Sequence, residues 1–554
     1  MAATTQPGPF KLLLEIFRSR FLENDTEGTF DANVYQIIGA IGTPGLFVSL
    51  FVMPLFMDLA IRPPSPDVDW MIRGIRLFFP AYSFAVTGFA TLFEWDVLFP
   101  DRRDFLILAP FPVRLRELFG AKFAALGVFI LTLVVAVNFF PTVMLPLFSM
   151  LVPKIGVAGI IRLTLTQIAA TTGASLLAFF AVAALQGVLI NITTPAIFRR
   201  ISPAVQMCGM SLMVIALLTF PLYMLLLRRM LEAHEIWPWL FPPVWFTGLY
   251  DLLLPRGDQS YAVYGIFGVE ALGIALAVFA LSWALGFRRH YRRVLESEDT
   301  SSRTPALSPI GRFIGLPEER AIFEFSGRIL ARSTKHRMFL ATYLSVGVSF
   351  GLLTALTVRA GKLDVSHEGL RSFPFLIAFF VISGLRAALQ FPAELASNWV
   401  FRLTESSWAE VARSATRKRV LVGGLLPVLL LILPFEIAVW GWQQGAMHFL
   451  FQLASGALLI EVLFWTFNKV PFTCSYFPGR TNLALLAVAY LYGFTSYSFH
   501  MADLEKAIDE NSLYGVCFFV LAAMLLAASW RRHPAAGSVR FDATEPEIQI
   551  LDLT

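Results

Sequence analysis

Stretches of about 20 or more mostly apolar residues recur along this chain, and lipid is the solvent that suits them. A helix needs about 20 such residues to cross a hydrocarbon core of roughly 30 Å. Segments 123–150, 168–192, 203–227, 261–286, 420–442 and 513–530 all meet that test. Only 15% of the 554 residues are charged while 56% are hydrophobic, where a soluble domain carries roughly 25% charge. The expected fold class is therefore all-α, a polytopic membrane protein.

The spans fall into two sets. The first is read at 35–60, 74–98, 123–150, 168–192, 203–227 and 261–286, the second at 338–358, 372–397, 420–442, 446–468, 482–500 and 513–530. Each set has an amphipathic entry segment before its first span. Phe10, Leu13, Leu14, Phe17 and Phe21 recur at helical spacing with Lys11, Glu15, Arg18 and Arg20 between them, the pattern of a helix lying in the interface. The second entry helix starts at Pro317 with Glu318 and Glu319 in its first turn, where the helix dipole favours acids, and carries Ile322, Phe325 and Ile329 as its stripe. Each sixth span closes on Ser-Trp and then Arg-Arg-His, at Ser282-Trp283 with Arg288-Arg289-His290 and at Ser529-Trp530 with Arg531-Arg532-His533.

This organisation predicts about twelve transmembrane helices as two tandem six-helix modules, with a parallel repeat because six spans return the chain to its starting side. The expected domains are a first module over 1–295, a linker over 296–316, a second module over 317–533 and a polar, acidic tail over 534–554. Placing the N-terminus in the cytoplasm puts roughly 31 of the 44 Lys and Arg on the inner side, as positive-inside topology requires. Both termini are then cytoplasmic, and Arg228 and Arg229 lie at the outer end of the fifth span, where they can snorkel. Met1 to Pro9 has no basic region leading into an apolar core, so the first span is expected to act as its own insertion signal. Cys208, Cys474 and Cys517 show no paired spacing for a disulfide framework or a metal. Segment 236–255, with Trp237, Trp239 and Trp245 among prolines, reads as short amphipathic helices in the outer leaflet.

The connectors after the second span of each set are the candidate functional elements. The first holds Glu94, Asp96, Asp101, Arg102, Arg103, Asp104, Arg114 and Arg116 and ends at Lys122; the second holds Glu394, Arg402 and Glu405 and ends at Lys418. Each puts an acid at the end of one span and a base at the start of the next, around a short helix. A connector fixed at both ends by rigid helices can transmit a push from outside the bilayer; the alternative is a solvated loop whose charges serve topology and helix dipoles.

The entry helix, six spans, the helix between spans two and three and the outer helices between five and six together resemble ATP-binding-cassette exporter permeases of the drug- and polysaccharide-export type. The run from Asp104 to Lys122, an acid-Phe-Leu-x-Leu-x-Pro-x-Pro stretch leading to Arg and Lys, is similar to that family's connector. The resemblance implies that two six-span modules form the path and that the connector helices dock on an ATPase. The second connector lacks the Pro-x-Pro. No Gly-x4-Gly-Lys-Ser/Thr phosphate loop is present, so a separate ATPase subunit would have to bind the nucleotide. The implied home is a bacterial cytoplasmic membrane, with membrane lipid around the spans, no nucleic-acid partner, no cofactor and no enzymatic activity.

Glu270, Arg386, Glu436 and Glu461 sit within predicted spans, where a charge costs on the order of 2.5–3.5 kcal/mol. Arg386 is expected to pair with an acid and Glu461 to face a polar path, or each simply to hold neighbouring helices together. The seven His are scattered without ligand spacing, and no acid–His relay lies along one helix face. An ion-coupled carrier of twelve spans is the alternative function. A lipid-modifying enzyme using Glu94, Asp96 and Asp101 to Asp104 ranks behind both, for want of a nucleophile or metal arrangement.

Overall fold

In a computed structural model, residues 9–22, most of 42–99, 115–149, 156–255, 258–296, 316–359, 362–393, 398, 408–467, 469–474 and 483–531 are described. Among them, ten helices are long and apolar enough to cross a membrane. Predicted span 35–60 lies largely outside the described residues, and 482–500 lies in a 28-residue helix that is not one of the ten. The chain divides into two compact units, one of 1–299 with 360–362, the other of 300–359 with 363–554.

In the first unit, α1 (Pro9–Leu22) lies against α3 (Leu115–Ser149). Helix α2 (Pro66–Phe93) starts at a Ser65 cap with Pro66 at its first position, both favoured there, and packs on α4 (Val157–Ile192). The predicted fifth span divides at Thr219 into α5 (Pro195–Leu218) and α6 (Phe220–Glu232), because Pro221 cannot continue the hydrogen-bond ladder. Arg228 and Arg229 therefore sit on a separate helix, and Arg228 is paired with Asp67 at 2.6 Å and Glu232 at 3.0 Å. Segment 236–255 forms a turn of helix, Trp237–Leu240, and then α7 (Pro242–Leu253). The second of these does not merely lie on the surface as its composition suggests. It buries Val244, Phe246, Leu249 and Tyr250 against α2, α4 and α8 (Gln259–Glu296). Gly248 makes the α7–α8 approach possible, since a Cβ there would meet the backbone nitrogen of Gly265 at 2.3 Å.

The second unit starts with α9 (Pro317–Arg332) and α10 (Thr334–Ala355); a two-stranded sheet of β1 (Leu356–Arg359) and β2 (Lys362–Val365) precedes α11 (His367–Ala388). The buried stripe of α9 is Ile322, Phe323, Ser326 and Leu330, one position on from the predicted one at Phe325 and Ile329, which are half-buried. Helix α12 (Trp408–Val420) passes through a π-helical turn at Leu421–Leu425 into α13 (Leu426–Trp440). Gly441, at φ +84°, makes the turn into α14 (Trp442–Leu463), and α15 (Leu483–Glu510) and α16 (Ser512–Arg531) complete the unit. A positive φ is easy for glycine and strained for other residues. Here α9 packs on α12, α13 on α14, α11 on α10 and α15, and α16 on α14.

Candidate functional site: buried charge in the second unit and the bases at the helix feet

Of the predicted connector residues, Asp101, Arg102, Arg103, Asp104, Arg114, Glu394, Arg402 and Glu405 lie outside the described residues, as do the side chains of Asp96 and Arg116. Glu94 is the residue at which α2 ends, its N–H donating to the Ala90 carbonyl.

The bases that end the connectors are both fastened to an entry helix. Lys122 is buried on α3, its Nζ 5.2 Å from the Phe17 ring centroid on α1. On α12, Lys418 Nζ meets Glu319 Oε2 of α9 at 2.5 Å, and the neighbouring Arg419 guanidinium lies 5.0 Å from the Phe323 ring centroid. A cation over an aromatic face is attracted by the ring quadrupole, by about 0.5–2 kcal/mol depending on desolvation. Glu319 belongs to the first turn of α9, so the Lys418 pair and the helix dipole stabilise the same carboxylate.

The four predicted intramembrane charges have four different environments. Glu270 lies on the exposed face of α8, beside Val263, Ile266 and Ile274. Arg386 donates to the Thr466 hydroxyl at 3.2 Å, and no acid among the described residues pairs with it. Glu461 is held by Arg417 at 2.7 Å and by the Ser529 hydroxyl at 2.5 Å, and Arg417 also donates to Ser529 at 3.3 Å, contacts that hold neighbouring helices together. Ser529 thus ties α16 to α14 and α12. In the first unit Ser282 offers its carbonyl to Asn191 of α4 at 2.9 Å, and Trp283 packs on Phe99 and Phe123.

Glu436 is the fourth. It sits one turn from the end of α13, 1% exposed, and accepts from Gln452 Nε2 at 2.6 Å. Across the Gly441 turn, His448 of α14 places Nε2 3.6 Å from Glu436 Oε1, and its Nδ1 meets Glu505 Oε1 of α15. Both His448 and Glu505 are 6% exposed. Phe375 and Trp440 stand edge-on to the imidazole, at 5.8 and 4.9 Å between centroids. Sequence reasoning missed this cluster because its members are spread over three helices, with Glu505 57 residues from His448. One signal was there to read: His448, Gln452 and Ser455 form a polar stripe at i, i+4 and i+7 along the middle of α14.

The first unit's interior carries a neutral network instead. Ser83 donates to Asn138 Oδ1 at 2.6 Å, Asn138 Nδ2 to Ser175 Oγ at 2.9 Å, and Thr87 to the same Ser175 oxygen at 3.0 Å, tying α2, α3 and α4 together. Its charged pair lies at the α2–α7 junction, where Arg73 meets Asp251 at 2.8 Å and stands 4.2 Å from the Tyr261 ring. Burial pushes the Asp251 carboxyl above the usual carboxylate range, against the opposing pull of Arg73.

No family model, curated protein or solved structure matches the chain.

Proposed function

We propose that this chain is the membrane permease of an ATP-driven exporter, with two tandem membrane modules in one polypeptide and a separate cassette ATPase as the motor. One observation carries the reading: in each unit, the base that ends the connector is fastened to the entry helix, Lys122 to Phe17 and Lys418 to Glu319. A force on either connector would then reach its third-span helix and its entry helix together. Two such feet, one per unit, suit a motor with two equivalent strokes, and they support reading the units as copies of one module. The bacterial cytoplasmic membrane, with both termini inside, is the location that fits this drive. Photo-crosslinkers at Arg103 and Arg402 in the source cells should capture a cassette ATPase. Transport that continues unchanged in cells stripped of all such ATPases would overturn the proposal.

A second reading, an ion-coupled carrier, is favoured by the Glu436–His448–Glu505 cluster. It predicts that transport fails in Glu436→Gln and survives charge changes at Arg103 and Arg402.

A further inference from the structure

The Glu436–His448–Glu505 cluster holds more hydrogen-bond acceptors than its surroundings can satisfy. Glu436 Oε2, Glu505 Oε2, Gln452 Oε1 and His448 Nε2 are all buried without a hydrogen-bond partner. Three of the four are oxygens that can only accept unless protonated. An unsatisfied buried polar atom costs roughly 1–3 kcal/mol, and more if charged, so four together point to a missing donor or cation. Among the described residues, no three His, Cys, Asp or Glu side chains converge as a metal shell would. A proton needs no such shell. It needs only a chain of exchangeable atoms, and the imidazole between two carboxyl groups supplies one.

The charges around the cluster are few. On α11, Arg371 pairs with Asp509 of α15 at 2.7 Å and exerts an attraction on Glu505; Glu368 and Lys506 meet at the exposed rim at 3.4 Å. Among its described residues α16 brings no acid or base to this level and contributes Phe518, which packs on Phe451. Phe375, Trp440 and Phe451 close the apolar sides. Two carboxylates in such a setting repel each other and lose hydration, and bound protons relieve both costs.

We propose that Glu505, His448 and Glu436 form a proton-binding relay in the second unit. In it the Glu505 carboxyl gives its proton to His448 Nδ1 while Nε2–H, once the 3.6 Å gap to Glu436 Oε1 closes to hydrogen-bond distance, is given to Glu436, leaving the imidazole neutral and one carboxyl protonated at each stage. The step is reversible and needs no other reactant. Because the three groups sit on α13, α14 and α15, each transfer changes which helices share a hydrogen bond. The proton state is thereby linked to the packing around the Gly441 turn. This inference is independent of whether ATP or an ion gradient drives the permease.

The test is infrared difference spectroscopy of the full-length chain in lipid vesicles, stepped between pH 4 and pH 9. A protonated-carboxyl band and an imidazole ring band should change in step, both shifting in deuterated buffer. The coupled pair should be lost in Glu436→Gln, Glu505→Gln and His448→Gln, and kept in Glu368→Gln. Should one variant aggregate, either of the others reads the same bands. The proposal is overturned if the wild-type chain shows no such coupled pair, or if the pair persists in the three variants.

Discussion

The two units join helices with different chemistry. Where α4 meets α8, the first unit uses Asn191 and Ser282, with Gly187 letting the helices touch. Where α14 meets α16, the second uses Glu461, Arg417 and Ser529. In the interior the contrast repeats. Ser83, Asn138, Ser175 and Thr87 satisfy one another without charge, while Glu436, His448 and Glu505 leave atoms unmatched. A neutral, satisfied network has one best arrangement and behaves as scaffold. An ionisable, unsatisfied one has several of similar energy, and their ranking changes with protonation. The proposed relay would put a capacity for a change of state in the second unit.

The largest expected effect lies at the charged junction. Arg417→Ala leaves the half-buried Glu461 with only the Ser529 hydroxyl, and losing one partner of a buried pair costs roughly 3 kcal/mol, an upper bound for this half-buried one. Unfolding in mixed micelles should show it as an early loss of the second unit, and a change below about 1 kcal/mol would mean that Glu461 is neutral there. Next comes Gly187→Ala. Its methyl would lie 2.3 Å from Ser282 Oγ and 2.9 Å from Ser282 Cβ, so α4 and α8 are expected to separate, at a cost of about 1–3 kcal/mol. A fluorophore pair on the two helices would register the shift; an unchanged distance would show that Ser282 rotates away instead.

Asn191→Ala tests the neutral junction and should cost only about 0.6 kcal/mol, the usual size of a hydrogen bond between membrane helices. If it equals Arg417→Ala, the contrast between the units has no energetic content. The smallest effect concerns Asp251. Its folded-state pKa lies above the ordinary 3.8, so the folded state holds this proton more tightly. The stability from that proton is fully present below the unfolded value and is lost as pH rises through the folded one. Between pH 4 and 7 the first unit should thus weaken slightly, with a shallower slope in Asp251→Asn; identical slopes would count against the assignment.

Much of this was legible in the chain. The helices follow from apolar length, because an unpaired peptide group cannot be left in hydrocarbon. Ser65-Pro66 and Leu316-Pro317 mark helix starts, and the clustered bases at Arg417-Lys418-Arg419 mark the foot of a span. Other features were out of reach. Whether α7 lies on the bundle or inside it depends on Gly248 meeting Gly265, an encounter that periodicity does not encode. Arg386 has a threonine, Thr466, opposite it among the described residues, a partner 80 positions away that its own span does not announce. His448 looked like one of several scattered histidines until α13 and α15 brought a carboxyl group to each of its ring nitrogens.

Local composition, then, determined the solvent of this protein, its helical class and the position of its bases, since each depends on residues within a few turns of one another. Which buried charges would be satisfied was settled only by tertiary packing. Electrostatic partnership acts across a few ångströms of space, and neighbours in space can be any distance apart along the chain.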